Sequence, residues 1–276
     1  MKRLYSTDLA IERRRARVDI LGVEYKKEEA SVGAWERLTV STKEGAEYIG
    51  KPVGIYDTLE LGKIDELDYF AIDDATDEVA RELCLLVEQE EISPDRLLIV
   101  GLGNPKLTPD AIGPTAAGGV EPTMHLKGLD EKLFNSLECS EIAVLTPGVR
   151  SVSGIDTAEV VLGVARSVRG DVVIVIDALV ARSPKRLGTT IQFSNTGIQP
   201  SSGVGVHQRG IDEDLLKIPV ISIGVPTVID SSLFIEGEDE GATEGMLVAP
   251  KDIDRIVELV GKIIAGGINQ AFGIFF

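Results

Sequence analysis

Short, largely apolar runs constrain this chain more than any other feature. Leu97–Val100, Ile142–Leu145, Val172–Ile176 and Val220–Gly224 lack the polar alternation of a strand with one wet face. Runs of this kind are strands covered on both sides. Helical spacing lies between and after them. Apolar residues recur at 79, 80, 83, 86 and 87 in a stretch that Asp74 or Thr76 can cap and that reaches about Glu90, and similar patterns cover Ile155–Val168 and Asp252–Ala265. Buried strands alternating with helices imply an α/β fold with a mostly parallel central sheet flanked by helices. Thr189–Phe193 reads as a further strand. Up to about residue 70 the chain is charged, and Glu36–Thr42 and Gly54–Leu61 alternate apolar with polar residues. This part is expected to form a small N-terminal β-rich subdomain (about 9–70) on an α/β core (about 71–276), the two making one domain.

Composition narrows the function. The chain has 276 residues, with 45 acidic against 28 basic ones and a net charge of −17. Such a surface repels phosphate, which argues against nucleic-acid binding and against docking on an anionic membrane. No apolar run is long enough to span a bilayer, and Met1–Arg15 has charges throughout and no secretory apolar segment. The two cysteines, Cys84 and Cys139, have no metal-ligand spacing and suit a reducing cytosol. Cys84 falls within an apolar helical pattern, as a core residue would. Gly101-Leu-Gly-Asn104 follows a strand, but Lys106 stands where a dinucleotide fingerprint needs glycine, so no cofactor is expected.

In parallel sheets chemistry gathers beyond the carboxyl ends of the strands. Two acids fall there. Asp110 follows the Gly101–Asn104 turn near a helix start, where it can serve as a first-turn residue or a cleft carboxylate. Asp177 directly follows Val172–Ile176, and an acid amid so much apolar sequence needs a partner or a proton; Arg182 is a candidate partner. Two close carboxylates can share one proton, so that one acts as an acid while the other activates water. Other chemistries have less to work with. The chain has two histidines, His125 and His207; Pro200-Ser-Ser-Gly203 reads as a turn, and neither a Gly-x-Ser-x-Gly elbow nor a His-Glu-x-x-His helix occurs. A metal held by Asp110, Asp177 and a histidine stays open, as does a peptide-binding protein without turnover.

Several motifs, in order, resemble the germination proteases of spore-forming bacteria. They are Leu97–Asn104, Thr108–Pro114, Thr146-Pro-Gly148, Val173–Leu179, Thr189–Gln192, Asn195–Ile198, Ser202–Gly205 and Ile223–Val228. The resemblance implies an atypical aspartic endopeptidase acting on small acid-soluble spore proteins, with a fold related to hydrogenase maturation endopeptidases. By motif match its catalytic aspartates are Asp110 and Asp177, with Gly101, Gly103 and Asn104 shaping the cleft. It further implies a homotetramer in the cytoplasm of the forespore and spore core. Thr7-Asp-Leu-Ala10 is similar to the family's cleavage pattern, so residues 1–8 are expected to be a propeptide removed by a cut between Asp8 and Leu9. The alternative is that Thr7 and Asp8 cap a helix through Arg14.

Overall fold

The computed structural model describes residues 7–14, 20–199, 209–234 and 246–273. Its strands are β1 (Val23–Glu29), β2 (Ala34–Val40), β3 (Gly54–Glu60), β4 (Arg96–Gly101), β5 (Glu141–Leu145), β6 (Val172–Ala181), β7 (Thr190–Ser194), β8 (Val220–Asp230) and β9 (Leu247–Val248). They form a single sheet in the order β1-β2-β3-β7-β8-β6-β4-β5, with β9 paired to β8. The strands read from apolar runs at 97, 142, 172 and 220 make its parallel half: β4 pairs with β5 and β6, and β6 with β8. β7 runs antiparallel to β8 and joins this half to the N-terminal meander β1–β3. The fold is α/β, with the β-rich N-terminal part continuing the same sheet.

The helices are α1 (Ala10–Arg13), α2 (Lys43–Ile49), α3 (Tyr69–Gln89), α4 (Ile112–Gly118), α5 (Met124–Leu129), α6 (Glu131–Ser136), α7 (Arg150–Ser153), α8 (Thr157–Val168), α9 (Glu213–Leu216) and α10 (Ile253–Phe272). Successive residues of a strand point to opposite faces. Ile174 and Ile176 of β6 therefore meet α3, α4 and α10, whereas Val173 and Val175 pack with Ala158, Val161 and Leu215 of α8 and α9. Both faces are dry, which is why these strands carry no polar alternation.

Several boundaries differ from the sequence reading, and three have a clear physical reason. α3 begins at Tyr69 because Asp68 Oδ1 accepts the Ala71 N–H (2.9 Å), five residues before Asp74. α10 passes Ala265 and reaches Phe272. A Cβ at Gly267 would stand 2.4 Å from Val79 Cγ1, so the glycines after Ala265 let α10 press on α3. β6 does not end at Asp177; β8 stays paired with it as far as Ala181. Cys84 is half-buried.

A buried charge cluster ties α3 to the meander. Arg37 Nη1 binds both Asp57 (2.6 Å) and Glu82 (2.9 Å), and its guanidinium lies over the Trp35 ring. Burial and the neighbouring Asp57 push the Glu82 carboxyl up from the ordinary 4.5. A raised acid stabilises the fold while protonated and loses that contribution as pH rises from its ordinary value through the raised one. Glu82→Gln should therefore gain on the wild type by roughly 1–2 kcal/mol between pH 5 and pH 8, as measured by urea unfolding at both pH values.

Candidate active site

The site begins where β4 stops. Gly101 is the last β4 residue paired with β6, opposite Ile176, and the Leu102 N–H closes the ladder on the Ile176 carbonyl (2.8 Å). The chain then turns through Gly103, whose φ of +116° strains any residue with a side chain. A Cβ there would also lie 2.0 Å from the Asp110 carbonyl oxygen. One 3₁₀ turn, Thr108–Asp110, brings Asp110 back over the strand end. Its Oδ2 accepts the Asn104 N–H (2.8 Å). From below, Thr227 donates its hydroxyl to the Pro109 carbonyl (2.6 Å). Thr227 is the extra residue of a bulge in β8, between Pro226 opposite Leu179 and Val228 opposite Val180. Gly101 itself faces the Gly113 carbonyl, where a Cβ would stand at 2.3 Å, so α4 sits hard against β4.

Asp177 lies within β6, one residue past the last pairing with β4, on the face shared with Val173 and Val175. It is 6% exposed and accepts the Ala178 N–H (2.9 Å). Burial raises its pKa well above the usual carboxylate range, and the charges of Asp110 and then Asp8 act in the same direction. Burial also raises Asp110, against the lowering effect of the Asn104 N–H. The structure thus brings Asp177 within the field of Asp110, with burial raising both carboxyls. Arg182 is exposed, and its backbone N–H binds Glu12 (2.7 Å). His125 is exposed on α5, and His207 and Ser202–Gly205 lie outside the described residues. Among the described residues no group of three or more His, Cys, Asp or Glu side chains is placed to hold a metal ion.

The N-terminal segment Thr7–Arg13 is folded into this same region. β6 turns the backbone of Ile176 toward β4, so four residues on, Val180 offers its backbone groups to the edge that β4 has vacated. Asp8 fills that edge: its N–H donates to the Val180 carbonyl (2.9 Å), and its Oδ2 accepts the Val180 N–H (2.9 Å). Leu9 is fully buried against Leu179 and Ala181. Ala10 N–H then reaches Gln192 Oε1 on β7 (2.8 Å). Neither Thr7 nor Asp8 is the cap residue of α1; Leu9 holds that position without a side-chain cap bond.

Two residues that the sequence reading passed over hold the segment closed. Glu12 accepts the Thr7 hydroxyl and the Arg182 and Ser183 N–H groups (2.7 and 2.8 Å). Arg13 donates from Nε and Nη2 to the Thr7 carbonyl (2.9 and 2.6 Å) and from Nη1 to the Gly50 carbonyl (3.0 Å). In sequence they are two charges in a run, and nothing local links them to residues 50 or 182.

Two outcomes follow from this geometry. Asp177→Asn removes an acid whose raised pKa makes its ionisation costly. The wild-type contribution is present at acid pH and lost as pH rises above the ordinary carboxylate value. The variant should be more stable than wild type by roughly 1–3 kcal/mol at pH 7 and show a smaller gain near pH 4, as read from thermal melts across that range. Gly103→Ala should destabilise by roughly 1–3 kcal/mol and displace Asp110, visible as a lowered melting temperature with the Asn104 amide resonance shifted.

Comparison with known proteins agrees with the motifs. The sequence profile described as germination protease matches residues 3–238. A germination protease of Clostridium perfringens (strain ATCC 13124) is 36% identical over 310 residues, covering 96% of this chain and 94% of the relative. One from Caldanaerobacter subterraneus subsp. tengcongensis is 35% identical over 306 residues, with 96% and 93% covered. One from Bacillus subtilis (strain 168) is 41% identical over 236 residues, covering 83% of this chain and 64% of the relative. Among solved structures, the [NiFe] hydrogenase maturation protease HycI from Thermococcus kodakarensis KOD1 is 17% identical with a TM-score of 0.37, over 68% of this chain and 99% of that one. With this match over most of its length, the chain belongs to the germination protease family.

Proposed function

We propose that the chain is an endopeptidase in which Asp110 and Asp177 activate water for attack on a peptide bond, without a covalent intermediate. Family membership supports a peptidase acting in spore germination. The aspartate pair rests on one observation above the others: Asp177 is buried, and Asp110 is the charge that raises its pKa most. One carboxyl carries the shared proton and polarises the carbonyl, while the ionised partner takes a proton from water. Gly103 and the Asn104 N–H fix Asp110 in place.

In this reading the chain is made as a zymogen, and Asp8–Leu9 is the bond it cuts in itself. The docking of Asp8 on Val180, within the field of Asp177, supports that assignment. So does the burial of Leu9 against Leu179 and Ala181, because the segment occupies the β6 edge just past Asp177. The mature enzyme acts on small acid-soluble spore proteins in the cytoplasm of the forespore and spore core, as a homotetramer. The acidic surface, at net −17, keeps it soluble and attracts basic stretches of substrate.

Intact mass after acidic, dehydrating incubation tests the proposal. Wild type should lose Met1–Asp8, and Asp110→Asn and Asp177→Asn should each slow that loss at least about 100-fold while remaining folded. Unimpaired processing by either variant removes that aspartate from the mechanism.

A further inference from the structure

A cavity of about 220 Å³ opens beside the Asp8–Leu9 bond, and the reading above gives it no role. Its floor is the sheet. Asp177, Gly224 and Gln192 are paired in one row across β6, β8 and β7, and Ser222 lies opposite Ser194 in another. Gly224 and Gln192 both line the cavity, so it stands roughly 5–10 Å from Asp177 along the sheet. Its walls include Asp8, Lys51 and Tyr56.

Lys51 is the unusual member. It directly follows Gly50, the left-handed cap of α2 (φ +69°), and its own N–H is bonded to the Ala46 carbonyl (3.2 Å), so its position is set by the helix end. It is half-buried. Burial lowers its pKa, Asp8 acts to raise it, and Arg13 lowers it further. A cation placed in a cavity is costly unless an anion meets it. The other charges at the cavity each have a backbone partner: Arg13 the Thr7 and Gly50 carbonyls, Asp212 the Leu215 N–H at the cap of α9, and Asp8 the Val180 N–H at one carboxylate oxygen. The acid that faces Lys51 is Asp8, the residue on the N-terminal side of the proposed cut.

We propose that Lys51 is a specificity-determining residue, which receives the acidic side chain immediately before the cleaved bond, in substrate peptides as in the chain's own Asp8. This rests on the reading that Asp8–Leu9 is a bond the enzyme cuts. The polar cavity around Lys51 accommodates the carboxylate, and Val180 of β6 holds the same residue by its N–H and by one carboxylate oxygen. Recognition of the acid thus sits on the sheet face that carries Asp177, one to two strands away.

Peptides with the sequence of residues 1–14 test this, carrying Asp, Asn or Lys at position 8, with kcat/KM measured by mass spectrometry for the processed enzyme. Wild type should prefer Asp over Asn by about 10- to 100-fold, the worth of a charge-assisted contact. Lys51→Met should bring that ratio close to one, mainly through KM on the Asp peptide, with the Asn peptide cut as by wild type. Lys51→Arg should keep the preference. Retention of the full ratio in Lys51→Met, or its absence in wild type, overturns the assignment while leaving the peptidase reading intact. Equal slowing of Lys51→Met on the Asp and Asn peptides also overturns it, since that marks a structural residue. If wild type cuts none of the peptides, the peptidase reading falls and the assignment with it.

Discussion

The structure depends on a mismatch in strand length. β4 stops at Gly101, while β6 runs on to Ala181 with β8 beside it. Past that point β6 has an unpaired edge deep in the molecule, and buried backbone groups must find partners. Two pieces of chain answer the need. The Leu102–Asp110 turn folds over the end of β4, and the N-terminal segment supplies Asp8 to Val180. An acid that follows the end of one strand and an acid inside its neighbour are thereby brought together. Had β6 ended at Asp177, as its apolar run suggests, there would be no edge for Asp8 to fill.

Holding acids in such a place works against stability. The bulge at Thr227 and the burial of Asp177 each cost free energy, which the dry layers on both faces of the sheet offset. The network around the pair is short and polar: Thr227 on Pro109, Asn104 on Asp110, Ala178 on Asp177. Each bond fixes a backbone or carboxylate position without placing a cation beside either acid. A neighbouring Arg or Lys would lower both pKa values. The cations of the region, Arg13 and Lys51, are set instead at the N-terminal segment and the cavity beside it.

Much of this was legible along the chain. The apolar runs at 97, 142, 172 and 220 gave strands buried on both faces, and Asp110 and Asp177 stood out as polar residues beyond apolar ones. Other features were hidden because their cause is remote. The glycines at 266 and 267 carry a helix onward only because α3 lies against them. Asp68 rather than Asp74 caps α3, a choice between two acids that the sequence offers equally. Lys51 reads as an ordinary surface lysine until α2, β7 and the N-terminal segment close around it.

The sequence by itself determined the layers, since which residues can face water is a property of each side chain in its local period. It also determined where acids occur at the ends of apolar runs. Only the tertiary structure decided that Asp110 acts on Asp177, that Asp8 lies within the field of Asp177, and that Glu12 and Arg13 clasp Thr7. Those relations depend on strand register and on where β4 stops relative to β6. Register joins segments far apart in the chain, and strands that are apolar on both faces give it little local signal.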